Sequence, residues 1–188
     1  MKLFVSFALV ATLSAAASAN LVVNGDFESD SYPAGNYQVI TGSFTGWTVI
    51  GGNVAGLGAG YLSSPSQEID LSGTIDTSGT GITQNIATLA GQSYELTAQI
   101  YAGAGFTPYT GGVDVLVDGI TVATNVQGTN SIFSYTFTAG SSTDITFLSN
   151  NGNVSHIDNV TLNAVPEPAS MAALGLGGLA LLRRRRKA

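Results

Sequence analysis

Ser93-Tyr94-Glu95-Leu96-Thr97-Ala98-Gln99-Ile100-Tyr101 sets Tyr94, Leu96, Ala98 and Ile100 at every second position, with mostly polar residues between them. A period of two is the repeat of an extended strand, in which successive side chains point to opposite faces, so this stretch predicts a strand with one buried face. Ile132 to Thr138 repeats the pattern, with Phe133, Tyr135 and Phe137 inward and Ser134, Thr136 and Thr138 outward. Val113, Val115 and Val117 run into Asp118-Gly119, a two-residue turn of the primed hairpin kind, and Ile120-Thr121-Val122 returns. The same reading predicts strands at residues 21–23, 37–41, 47–50, 68–71, 82–88, 144–148 and 157–162. No stretch of the body carries the capped, amphipathic pattern of a helix. Many short strands separated by Gly, Ser, Thr and Asn point to an all-β fold, an antiparallel β-sandwich. Ala102 to Gly112, with Phe106, Pro108 and Tyr109, is read as a long loop between two good strands, where function often sits.

Charge divides the chain. All 6 basic residues lie at the ends, as Lys2 and then Arg183 to Lys187; of the 12 acidic residues only Glu167 falls outside the stretch from Asn20 to Val165. A body without a cation cannot neutralise phosphates, so nucleic acid and anionic lipid are poor partners for it, and acidic glycans are disfavoured unless a metal bridges them. The chain has 188 residues and no cysteine, which leaves room for one domain with a substantial core and no disulfide framework.

Both ends read as targeting elements. Met1-Lys2, the apolar Leu3 to Leu13 and the small residues Ala17-Ser18-Ala19 make residues 1–19 a secretory signal peptide cleaved between Ala19 and Asn20. Residues 20–164 are the sandwich domain. From 165 to 188 the chain changes character: Val165-Pro166-Glu167-Pro168 is a stiff break, Ala169 to Leu182 is uncharged, and Arg183, Arg184, Arg185, Arg186 and Lys187 follow. As a helix the uncharged stretch would reach only about 21 Å against the roughly 30 Å hydrocarbon core, a short transmembrane helix that holds weakly. Its basic cluster places everything before it on the exported side of the inner membrane.

In order and composition this tail resembles the PEP-CTERM sorting signal of Gram-negative, exopolysaccharide-producing bacteria. The resemblance implies recognition by a membrane-embedded exosortase through Pro166, Glu167, Pro168 and the arginines Arg183 to Arg186. It also implies cleavage near Pro166 to Pro168, and release or transfer of the body to the cell surface or extracellular matrix.

Three pieces of the body resemble a second family. Asn20-Leu21-Val22-Val23-Asn24-Gly25-Asp26-Phe27-Glu28, Gly46-Trp47-Thr48-Val49 and His156-Ile157-Asp158-Asn159-Val160-Thr161-Leu162 are similar to galactose-binding-like jelly-roll modules, as are Ile82 to Ile86 and Ala90 to Leu96. Within that family they look most like the exported choice-of-anchor domains, distant kin of carbohydrate-binding modules. Trp47 is then a core residue. The resemblance makes Glu28 and Asp158 members of a structural calcium site, with Asp26 a third candidate. Independently of any family, Asp158 shares strand parity with Val160 and Leu162, so its carboxylate is expected to point inward. With no Lys or Arg in the body it must be protonated, bonded to backbone N–H groups, or held by a metal. Oxygen-rich, cysteine-free composition favours calcium over zinc.

The candidates for a sugar ligand are aromatics on loops, Tyr109, Phe106 and Tyr61, whose rings can stack on the apolar faces of sugars, together with amides and carboxylates such as Gln84, Asn53 and Asp114 for the hydroxyls. Enzymatic chemistry has no motif to stand on: His156 is the single histidine, and no nucleotide-binding loop or tuned carboxylate pair is visible. Two functions remain open: a surface or matrix module that binds exopolysaccharide or another neutral glycan, and a structural matrix protein assembled or stabilised through calcium.

Overall fold

In the computed structural model, residues 19–61, 65–74, 78–102, 111–150 and 154–166 are described, and within them the regular elements are strands, with no α-helix. The strands are β1 (Tyr37–Ile40), β2 (Ser43–Phe44), β3 (Trp47–Ile50), β4 (Val54–Leu57), β5 (Glu68–Asp70), β6 (Gly81–Ala87), β7 (Ser93–Ala102), β8 (Gly112–Val117), β9 (Ile120–Val126), β10 (Gly128–Thr138), β11 (Ser142–Asn150) and β12 (Ser155–Ala164). They form two six-stranded sheets, ordered β1-β4-β5-β12-β7-β10 and β2-β3-β6-β11-β8-β9. Every pairing is antiparallel. The last eight strands wind as a jelly roll, with β5, β12, β7 and β10 in one sheet facing β6, β11, β8 and β9 in the other. Ala19 to Val165 is one compact unit.

The alternation read from the sequence becomes the core. Tyr94, Leu96, Ala98 and Ile100 of β7 face inward, and β10 sets Phe137, Tyr135 and Phe133 beside Tyr94, Leu96 and Ala98. From the second sheet come Val113, Val115, Val117, Ile82, Ile145 and Phe147. Trp47 sits in this core with its ring 5.7 Å from that of Phe27 and 6.3 Å from that of Phe147, and its Nε1–H donates to the carbonyl of Asn24 at 3.0 Å. Asp118 and Gly119 both have positive φ, 51° and 74°, as the primed turn between β8 and β9 requires.

One expectation is corrected and one strand is added. Residues 21–23 are not a strand: Leu21 N–H donates to the carbonyl of Leu162, but Leu162 N–H is taken by the side-chain Oδ1 of Asn20, and the chain then turns through Asn24 and Phe27, both at positive φ. An amide side chain has replaced the second ladder bond. Conversely, β4 was not foreseen because Val54-Ala55-Gly56-Leu57 is buried on both faces, which erases the alternation that marks a strand. Gly56 belongs there because the ring of Tyr32 lies where a Cβ would project.

Candidate functional site

The candidate site forms where the segment after Asn20 runs alongside β12, bonded to the backbone of Val160 and Leu162, and its key feature is a bulge in β12. The pairing of β12 with β7 shifts between Asp158 and Thr161, and Asn159 at the bulge has φ 50°, a left-handed conformation that Asn tolerates better than most residues. The bulge adds one residue, so Ile157 and Leu162 both reach the core although they differ in parity. Asp158 is thereby turned the other way, opposite Gln99 on the outer face, which corrects the inward direction expected from its spacing to Val160 and Leu162. It is nonetheless only 2% exposed.

Asp158 receives hydrogen bonds from Ser66 Oγ (3.0 Å), from the backbone N–H of Asn159 (2.7 Å) and from Asn159 Nδ2 (3.1 Å). Burial pushes its carboxyl up from the usual 3.8 to about 6; the bonds from Asn159 and Ser66 pull the other way, and the charges of Glu68 and Glu28 add to the rise. Glu28 approaches the same place from the loop. Its Oε1 accepts from Gln67 N–H at 2.7 Å and its Oε2 from Gln67 Nε2 at 3.0 Å. Gln67 Nε2 also reaches the carbonyls of Asp30 and Phe27, while its Oε1 accepts from Tyr32 N–H at 2.7 Å. One buried amide thus lashes the loop to the start of β5.

Next to Asp158 on β12, His156 is buried between two carboxylates of β5: its Nδ1 is 3.0 Å from Glu68 Oε1 and its Nε2 is 3.7 Å from Asp70 Oδ2. Burial lowers the histidine's pKa, but the Glu68 hydrogen bond and the charges of Asp70 and Glu68 outweigh it and leave the ring more basic than an ordinary histidine. Desolvation and the charges of Glu68 and Asp158 likewise raise the phenol of Tyr101 on β7. His156, which the sequence marks only as the lone histidine, is the partner of two of the acidic groups.

The sequence-predicted residues are thus sorted. Glu28 and Asp158 come to the two sides of Ser66-Gln67. Asp26 is exposed and lines an open polar groove of about 240 Å³ with Asn20, Asn24, Ser29, Asn159 and Thr161. Among the described residues no three His, Cys, Asp or Glu side chains gather as a metal-binding group. Oxygen donors suited to a hard cation are present in Glu28, Asp158 and Ser66 Oγ. Gln84 has a different task from the one expected: it is buried, and its amide closes both hydrogen bonds with the backbone of Val23, at 2.8 and 3.0 Å. Asn53 and Asp114 are similarly occupied, by Thr74 and by Asn125 and Asn150.

Tyr61 pairs with Tyr37, a residue at the start of β1 that is 43% exposed, with ring centroids 5.8 Å apart and planes at 59°. Two backbone bonds, Gly35 N–H to Ala59 and Gly58 N–H to Asn36, both 2.9 Å, hold the segments that carry them. Phe106 and Tyr109 lie outside the described residues, as do the signal sequence expected before Ala19, Glu167, Pro168, the apolar stretch and Arg183 to Arg186. Val165, just before Pro166, is still held by the body: its N–H donates to Ser93 and its carbonyl accepts from Gln92 Nε2, both at 2.8 Å. Among the described residues no helix is long and apolar enough to cross a membrane.

The fold and these geometries define an all-β sandwich of the jelly-roll class with a buried acidic cluster on one outer face. Residues 164–187 match the family model described as the PEP-CTERM protein-sorting motif, which marks an exported protein. No curated protein matches the sequence. Among solved structures, the CBM22-1 xylan-binding domain of Paenibacillus barcinonensis Xyn10C is similar at 16% identity and TM-score 0.45, over 73% of this chain and 99% of that one. A CBM4 structure is similar at 18% identity and TM-score 0.40, over 77% and 99%. A family 35 carbohydrate-binding module from Clostridium thermocellum follows at 16% identity and TM-score 0.38, over 70% and 94%.

Proposed function

We propose that this is an exported protein sorted by an exosortase to the cell surface or extracellular matrix, where its body binds a neutral glycan and does no catalysis. The Tyr37 and Tyr61 pair carries the glycan part of this reading. Two tilted aromatic rings on a braced sheet margin offer a stacking surface for a sugar ring, and a body without Lys or Arg has nothing to recognise phosphate or sulfate. Against catalysis stands the histidine itself, which at 4% exposure and between two carboxylates is placed to hold strands together rather than to meet a substrate. The sorting part rests on the tail motif, with Pro166, Glu167 and Pro168 as the processing region. A glycan array probed with the exported protein tests the reading: saturable binding to neutral glycans, lost in Tyr37→Ala and Tyr61→Ala, is expected, and a blank array would remove it.

A second reading has its own observation. Asp158 is a buried carboxylate with carboxylate neighbours and an elevated pKa, the condition a bound cation would relieve. Calcium held by Glu28, Asp158 and Ser66 Oγ, with backbone carbonyls, would tie the loop after Asn20 to β12 and β5. It would make the protein a calcium-stabilised matrix component whether or not it binds sugar.

A further inference from the structure

Four strands end the two sheets, and three of them are protected against pairing with another chain. β1 has 4 residues and β2 has 2, too short to template a partner. β9 has 7, but its pairing with β8 is broken by two register shifts and Asn125 carries φ 50°. β10 is different. It has 11 residues, its one irregularity lies between Thr129 and Ser131, and from Ser131 to Thr138 its ladder with β7 is unbroken. Edge strands of this length are ordinarily interrupted by a charge, a proline or a bulge, because one side of their backbone is left with unpaired N–H and C=O groups. β10 contains no charge and no proline, and its outward residue Ile132 is 76% exposed.

Charge names the occupant. Two copies of a body that carries acidic residues and no basic ones repel over most of their surface. From Gly119 to Thr143 the chain has no charge at all, and this run supplies both β9 and β10 on one flank of the sandwich. The nearest carboxylate, Glu95 on β7, is bonded to Ser134 Oγ at 2.7 Å. In a β7-β10-β10-β7 arrangement two Glu95 residues would be about 14 Å apart, three strand spacings and beyond the screening length of about 8 Å at physiological salt. The flank is where a second copy can approach without like-charge cost.

We infer that β10 pairs antiparallel with β10 of a second copy of this chain, joining two first sheets into one continuous sheet across a two-fold axis. The pairing uses backbone hydrogen bonds and the exposed Ile132, and depends on neither glycan nor calcium.

The full chain, purified in detergent and studied in chelator, tests this by sedimentation velocity and by cross-linking. The chain has no cysteine, so single cysteines at Ser134 or Thr136 report on the edge without background. The expected result is a dimer that becomes a monomer in the Ile132→Lys, Thr138→Lys double variant with unchanged circular dichroism. Mild oxidation should cross-link Ser134→Cys or Thr136→Cys but not Thr48→Cys on the second sheet. A monomeric wild type, a dimer that survives the lysines, or one that falls apart in chelator would overturn the inference. Should the lysine variant misfold, the cysteine pattern decides alone, and cross-linking equal at the edge and at Thr48 would count against it.

Discussion

His156 Nδ1 lies 3.0 Å from Glu68 Oε1, and this contact ties β12 to β5 in a face that has no other cationic partner among the described residues. Its consequence is a stability that declines as pH rises. A histidine more basic in the folded than in the unfolded chain stabilises the fold fully below about pH 6.5, and that contribution is lost as pH climbs through the raised folded value. Thermal melts in chelator from pH 5 to 9 should show the fall, and His156→Gln should flatten it.

Asp158 has the same sign at lower pH. Its carboxyl holds a proton more tightly folded than unfolded, so its contribution is present below pH 3.8 and lost as pH rises through about 6. A shift of that size is worth at most about 3 kcal/mol. In chelator at pH 7.5, Asp158→Asn should therefore melt no lower than the wild type.

Calcium should reverse that ordering. Added calcium is expected to raise the wild-type melting temperature at pH 7.5 and to leave Asp158→Asn and Glu28→Gln unmoved, because a ligand that binds only the folded state stabilises it by mass action. Equal shifts in all three proteins would place any calcium elsewhere.

Gln67→Ala should cost about 2 kcal/mol or more by denaturant titration. It removes the donors to the carbonyls of Phe27 and Asp30 and one donor to Glu28, and leaves the buried N–H of Tyr32 without its acceptor.

Asn159→Ala should cost about 1 to 2 kcal/mol through its left-handed backbone, and Asn159→Gly should recover most of the backbone part.

The strands with one wet face were legible, since alternation along β7, β8 and β10 is a direct record of which side meets the core. β4 was not, because burial on both faces leaves no period to read. The direction of Asp158 failed for a related reason: counting by two assumes an unbroken ladder, and a single bulge at Asn159 inverts every side chain beyond it. Glu28 and Asp158 enter through a family resemblance to a calcium site and not through any spacing between them; Glu28 bonds to Gln67 and Asp158 to Ser66. Gln67 itself carries no local sign of its role, because its partners lie in the loop from Phe27 to Tyr32, far away in sequence. The bonds of Gln84 to Val23 are hidden for the same reason, since an amide bonded to a distant backbone looks in sequence like any exposed amide.

β12 lies between β5 and β7, and Val165 is bonded to the body on both its N–H and its carbonyl. A pull on the chain beyond Val165 would therefore load an inner strand lengthwise, shearing ladders on both sides at once instead of peeling an edge bond by bond. That is the geometry of mechanical resistance: a protein held by its tail in flow or in a strained matrix would carry load through the strand best placed to bear it.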